Sequence, residues 1–212
     1  LREVARSGPW VIYQVDASDL VVPLTKQPVV IDGAAEQDVA IGHAGDAKER
    51  WLEIGTSWFQ NPNDWVALPA ADGPDEWQRI LTRVDVDRRI GEPGESGRRV
   101  DIVVPNEPIT QVNLAPVVVS NVVQGRSSVS FTVDNVGVPV LVRTSYFPNW
   151  NVSGAKGPYR VAPNMMVVVP TSTDVRLSFG WSFFDLFAYV LTIGGIAVLV
   201  RWRRRRRLAP LL

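Results

Sequence analysis

Cysteine is absent from this chain. No disulfide framework can form, and no thiolate can serve as nucleophile or metal ligand. Secreted animal domains of this size often carry disulfides, so the absence tilts the reading toward a bacterial surface protein. Histidine is nearly absent too: His43, in IGHAGDAKERW, stands alone. It has Asp46 nearby but no His or Cys partner for zinc, and it is not read as catalytic. GxSxG, HExxH, Gly-rich phosphate loops and Walker motifs are all missing. The sequence therefore points to no catalytic residue, no metal site and no cofactor. Net charge is also missing, but only as a sum. Six of the 22 basic residues are C-terminal arginines and one of the 22 acidic residues is Asp185, so residues 1–180 carry 16 basic against 21 acidic groups, a formal charge of −5. Such a surface repels phosphates, and no nucleic-acid partner is expected. A hydrophobic content of 46% excludes disorder. The length suffices for a real core.

The chain does hold one long hydrophobic run. Trp181 to Val200 reads WSFFDLFAYVLTIGGIAVLV, and RWRRRRR follows. Crossing a bilayer core takes roughly 20 mostly apolar helical residues. Asp185 is the single charge between Phe183 and Val200. It lies three positions after Ser182, the spacing of a capping box, in the interfacial first turn. Trp181 and Trp202 fall at the two ends, where indoles sit among headgroups. Arg201, Arg203, Arg204, Arg205, Arg206 and Arg207 predict a cytoplasmic C-terminus, with residues 1–180 extracytoplasmic. Their charge suits anionic lipid headgroups. Gly194 and Gly195 permit close approach of another transmembrane helix, and equally suit a span that faces lipid. The chain begins Leu1-Arg2-Glu3-Val4, with neither initiator Met nor the apolar core of a signal peptide. A removed signal peptide, or a position at the end of a longer membrane protein, would account for that start; the second is expected.

Ahead of the span, the pattern predicts an α+β region whose C-terminal part is an antiparallel β-sandwich. Residues 1–84 form the mixed α/β segment. Trp10 to Val15, Leu20 to Leu24 and Val29 to Ile31 read as β-type runs. Ala47 to Phe59 reads as a helix, because Trp51, Ile54 and Trp58 recur at i, i+3 and i+7. A second helix is expected from Pro74, with Trp77, Ile80, Leu81 and Val84 on one face. Residues 85–101, DVDRRIGEPGESGRRVD, read as a charged loop or hinge. Residues 102–180 then show short β-branched runs between turn residues, at sandwich spacing. The runs are 102–104, 109–112, 117–123, 127–133, 138–145, 159–162, 165–169 and 174–179. Residues 181–200 are the span and 201–212 the basic cytoplasmic tail.

Two groups of residues invite a functional reading. Asp85 and Asp87 could serve as paired carboxylates in glycoside hydrolysis, although solvated charge in a hinge explains them better. Tyr146, Phe147, Asn149, Trp150 and Asn151 form an aromatic turn flanked by amides. Aromatic faces stack on sugar rings while amides bond hydroxyls, so Tyr146, Trp150, Asn149 and Asn151 are the candidate glycan contacts, with an envelope polysaccharide as partner. Aromatics at a turn are also routine edge-of-core residues. Asn151-Val152-Ser153 also matches the N-glycosylation pattern, which a bacterial source would leave silent.

The segment VGVPVLVRTSYFPNWNVSGAKGPYRVAPNMMVVVPTSTDVRLSFGWSFFD, Val136 to Asp185, resembles the end of large actinobacterial polytopic membrane proteins of the GT-C glycosyltransferase-like, or 6-pyruvoyl-tetrahydropterin-synthase-related, type. The shared features are the S-Y-F-P-N-W turn, the P-N-x-M-V-V-V-P strand and the step into the last helix. W-V-I-Y-Q-V-D-A-S-D-L-V-V-P-L and D-G-P-D-E-W resemble the region before that β-domain. The resemblance implies the extracytoplasmic C-terminal domain and last span of a multi-pass cell-membrane protein. That protein would transfer sugars from a lipid-phosphate donor in cell-envelope glycan assembly, and its other transmembrane helices would pack against this one. The segment would support the membrane core or hold glycan; it matches no catalytic loop. The rival expectation is a single-span, surface-anchored binding protein without enzymatic activity.

Overall fold

The computed structural model describes residues 2–14, 19–32, 47–61, 63–90, 100–181 and 183–207. His43, Ser182 and the middle of the expected hinge lie outside them. The described chain is mostly β-sheet, in several antiparallel sheets, and ends in one long apolar helix.

A hairpin comes first, of β1 (Arg2–Ser7) and β2 (Trp10–Gln14). A seven-stranded sheet follows in the spatial order β3 (Val21–Pro23), β11 (Val140–Val142), β14 (Met165–Pro170), β13 (Ala155–Val161), β5 (Pro69–Ala70), β4 (Val29–Ile31), β6 (Arg79–Ile80). Within it β4 runs parallel to β5 and β6, and the other pairs are antiparallel. A four-stranded antiparallel sheet has the order β12 (Trp150–Ser153), β15 (Asp174–Phe179), β10 (Ser128–Val133), β9 (Val119–Gln124). Finally β7 (Thr82–Ile90) pairs with β8 (Val100–Pro105) beside helix α1 (Ala47–Gln60).

Side-chain alternation places the core. Successive strand residues point to opposite faces. In β10 Val129, Phe131 and Val133 are buried, and in β15 Val175 and Leu177 are. They share one apolar cluster with Val140 and Val142 of β11 and Met166 and Val168 of β14. The four-stranded sheet and the seven-stranded sheet thus close on a common core. β14 is apolar without alternation because both its faces are covered. Val167 and Val169 enter a second cluster on the opposite side, with Trp77, Leu141 and Val161.

Three expectations need correction. Pro74 does not open a helix: the Trp77 N–H donates to the Pro74 carbonyl in a turn, and Arg79–Ile80 is a strand on β4. Trp77 and Ile80 fit one helical face in sequence, yet they bury in different clusters, Trp77 with Tyr159 and Ile80 with Trp51. Pairing with β4 puts two neighbouring apolar groups to work on separate cores, which a helix could not do. Residues 85–90 are not loop but the last six residues of β7, whose register against β8 shifts between Val84 and Arg89, and residues 100–101 of the expected hinge open β8. Residues 109–112 form no strand; Val112 accepts from the Gln27 N–H and Thr110 donates to the Gln78 side chain. Strands from residues 21–80 and from 140–170 also lie in the same sheet, with Val161 opposite Ala70 and Val142 opposite Val21.

Helix α1 forms where periodicity predicts it. Trp51 and Ile54 are buried with Trp65 and Val103, and the buried Ser57 hydroxyl accepts the Val103 N–H at 2.8 Å. The last helix, α2 (Phe183–Arg207), leaves β15 after a short link. Its window Leu186–Arg203 has a mean hydropathy of 1.5, and none of it is buried. It is long and apolar enough to cross a membrane.

Candidate functional site

The aromatic turn before β12 is built into the end of the last strand. Trp150 is half-buried against the common core, and its indole N–H donates to the Ser145 carbonyl at 3.2 Å. Its ring meets Phe179 edge-on at 5.4 Å, and Phe147 meets the same ring edge-on at 6.2 Å. Such geometry sets the positive ring edge on a negative face. The Asn149 side chain donates to the Gly180 carbonyl at 3.2 Å while the Gly180 N–H returns a bond to the Asn149 carbonyl at 3.1 Å. Asn151 donates to that same Asn149 carbonyl at 3.2 Å. The Asn149 amide therefore fastens the turn to Gly180, which leads into α2, while the Asn151 amide braces the turn itself.

Tyr146 packs on the same core cluster as Trp150 and also reaches a second set of partners. Its backbone exchanges bonds with Asn164, and its ring lies 5.9 Å from the Arg160 guanidinium. Among the described residues no ring contact joins Tyr146 to Trp150. The four candidate glycan contacts thus share one turn and both rings rest on the common core, but Tyr146 turns to Arg160 and Trp150 to Phe179.

Arg160 was invisible to sequence reasoning. Its guanidinium stands 4.8 Å from the Trp51 ring centroid as well as over Tyr146, a cation held between two aromatic rings. The Nε–H donates to the Asn164 side chain at 2.8 Å. Burial pulls its pKa below the ordinary guanidinium value. Arg160, Asn164 and Pro163 make one wall of a groove of about 450 Å³ whose other wall is α1. Leu52 and Phe59 project along its rim, and Phe59 is 76% exposed. Trp51 anchors the helix there by donating its indole N–H to the Pro163 carbonyl at 2.7 Å. One cation in an apolar wall suits non-covalent holding of an anionic group on an apolar carrier. The only hint in the sequence was that Leu52 and Phe59 stand just beside the buried helical stripe.

Of the acidic pair, Asp85 has a structural role. Arg88 bridges Asp85, with Nε to Oδ2 at 2.6 Å, and Asp64, with Nη1 to Oδ2 at 2.9 Å. It also donates to Asn61 at 2.9 Å. The Arg88 guanidinium and the Asp87 N–H hold the Asp85 carboxyl below the usual carboxylate range. A general acid would need the opposite shift. Folded Asp85 thus binds protons more weakly than unfolded Asp85. Its stabilisation is present above the unfolded pKa and is lost as pH falls through the folded one. Carboxyl-carbon NMR should give Asp85 a midpoint below that of a free aspartate, and Arg88→Ala should raise it; an unmoved midpoint would remove the ion pair from the account.

The span residues sit as follows. Trp181 packs on Tyr189 with ring centroids 4.9 Å apart. Asp185, Gly194 and Gly195 all lie within α2, and nothing approaches the two glycines. Trp202 and Arg201 are exposed, and the helix continues through the arginines from Arg203 to Arg207. Comparison with known protein families, curated proteins and solved structures found no match.

Proposed function

We propose that this chain is a membrane-anchored, non-catalytic extracytoplasmic domain whose two packed sheets form a β-sandwich. One observation carries the reading: an unburied apolar helix leaves the last core strand and ends in a block of arginines. A helix of that composition left in water would expose a large apolar area, and lipid is the solvent that removes the cost. Arginines resist transfer through hydrocarbon, which keeps the C-terminus cytoplasmic. The resemblance at Val136 to Asp185 supports a place at the end of a multi-pass, glycosyltransferase-like protein of envelope glycan assembly. The bonds of Trp150, Asn149 and Asn151 to their own fold favour a supporting role for that turn over direct sugar contact. A ligand held by this domain would fit the Arg160 groove better.

The absence of cysteine makes topology directly measurable. Asn135→Cys should react with a membrane-impermeant maleimide on intact cells. Leu211→Cys should react only after permeabilisation, with the unsubstituted protein as background. The reverse pattern would overturn the orientation. Glycan assembly is tested separately: deleting the gene should alter the sugar composition of the envelope polysaccharide, and an unchanged composition would sink that part of the reading.

A further inference from the structure

We infer that one end of the four-stranded sheet rests on the lipid headgroups, with Phe147 entering the interface and Arg126 meeting phosphate, so that the domain is docked on the bilayer and not merely tethered to it. This rests on the membrane reading of α2 and adds a lipid-contacting surface that the span does not require.

The placement follows from register. β15 pairs with β10 so that Ser178 faces Ser128 and Asp174 faces Thr132. Trp150 of β12 faces Phe179, and Gln124 of β9 faces Val129. The β9–β10 turn, with Arg126 at its tip, and the 145–149 turn therefore flank Phe179 at the end from which the chain enters α2. Backbone bonds fix them there: Phe179 N–H to Ser127 carbonyl at 2.8 Å, and Gly180 N–H to Asn149 carbonyl at 3.1 Å.

Lengths then set the depth. A hydrocarbon core of about 30 Å takes roughly 20 helical residues. Counted from Phe183, that run ends near Trp202, where the arginines begin. Phe183 then marks the outer edge of the hydrocarbon. Each headgroup layer is about 5–7 Å deep, and Phe179 precedes Phe183 by four residues, a reach of at most about 13 Å. The Trp181 ring packs on Tyr189, six residues into α2, so the approach is shorter than that limit. Phe179 then comes to the outer side of the headgroups, with Phe147, whose ring touches it, beside it. The surface chemistry agrees. Phe147 is 53% exposed and Phe179 43%, two touching rings open to the surroundings, and Trp181 at the entry to α2 is 65% exposed. Arg126 on the neighbouring turn is an exposed cation suited to lipid phosphate. The opposite end of the sheet, at residues 134–138, is about 17 Å from this one along a six-residue strand.

The full chain, labelled through single cysteines with an environment-sensitive fluorophore, is reconstituted in phosphatidylcholine–phosphatidylglycerol vesicles carrying nitroxides. A nitroxide on the lower acyl chain should quench a label at Leu191→Cys. A headgroup nitroxide should quench labels at Phe147→Cys and Arg126→Cys several-fold more than a label at Val136→Cys, on the far end. Arg126→Cys reads the docking even if the Phe147 change disturbs its turn. Quenching at Leu191 with Phe147 and Arg126 no different from Val136 would overturn the docking and leave the span intact. No acyl-chain quenching at Leu191 would overturn both.

Discussion

Gly154→Ala is expected to lower the stability of the folded chain by about 3 kcal/mol, the sum of left-handed backbone strain and overpacking. Gly154 turns the chain from β12 into β13 at φ +77°. A Cβ at that position would overlap the Asp174 carbonyl oxygen, the first backbone group of β15. A carbonyl within a paired strand cannot rotate aside. The Gly154 carbonyl also accepts the Thr171 and Ser172 N–H groups at 2.8 and 3.0 Å, so the turn cannot shift without breaking bonds. For a chain of this size the loss amounts to roughly 10 °C in Tm. Gly137 provides the control: it has φ +82° but no neighbour within 4 Å. Gly137→Ala should cost only the conformational part, about 1 kcal/mol. Thermal unfolding of the full chain in detergent compares them, and equal losses would show that the Asp174 contact is not the cause.

Trp150→Ala is expected to cost about 2–3 kcal/mol, somewhat below the range for a fully buried aromatic because the indole is half-exposed. Three things are lost together: packing on the common core, the edge contact with Phe179, and the bond to the Ser145 carbonyl. The outcome also bears on function. A sugar platform loses binding on truncation while its fold stays put, whereas a packing residue loses stability. Thermal unfolding of the variant in detergent decides the matter. A Tm within a degree or so of the unsubstituted chain would return Trp150 to the candidate glycan contacts and leave the supporting role of the turn without its main argument.

Local pattern alone was enough wherever one element buried one face. Trp51, Ile54 and Trp58 marked α1, because a helix on a sheet needs an apolar stripe at that period. The alternation in β10 and β15 marked half-buried strands. The run from Phe183 to Val200 marked an apolar helix, because length and apolarity are properties of the segment itself. Tertiary contacts ruled where neighbours in sequence serve different cores. Trp77 and Ile80 look like a helical pair until β4 claims the strand between their two clusters. The polar 85–90 stretch looks like a hinge until β8 supplies its partner. Arg160 sits in an ordinary strand sequence, and only the approach of α1 on one side and the Tyr146 turn on the other places it between two rings. What the sequence by itself determined is the absence of thiol chemistry, the position of the apolar helix with its basic end, and the strands and helix with a single buried face. The tertiary structure alone decided the merging of residues 21–80 and 140–170 into one sheet, the fastening of the aromatic turn to Gly180, and the groove beside Arg160. Each of these depends on pairing between residues far apart in the chain, and no local period encodes the partner.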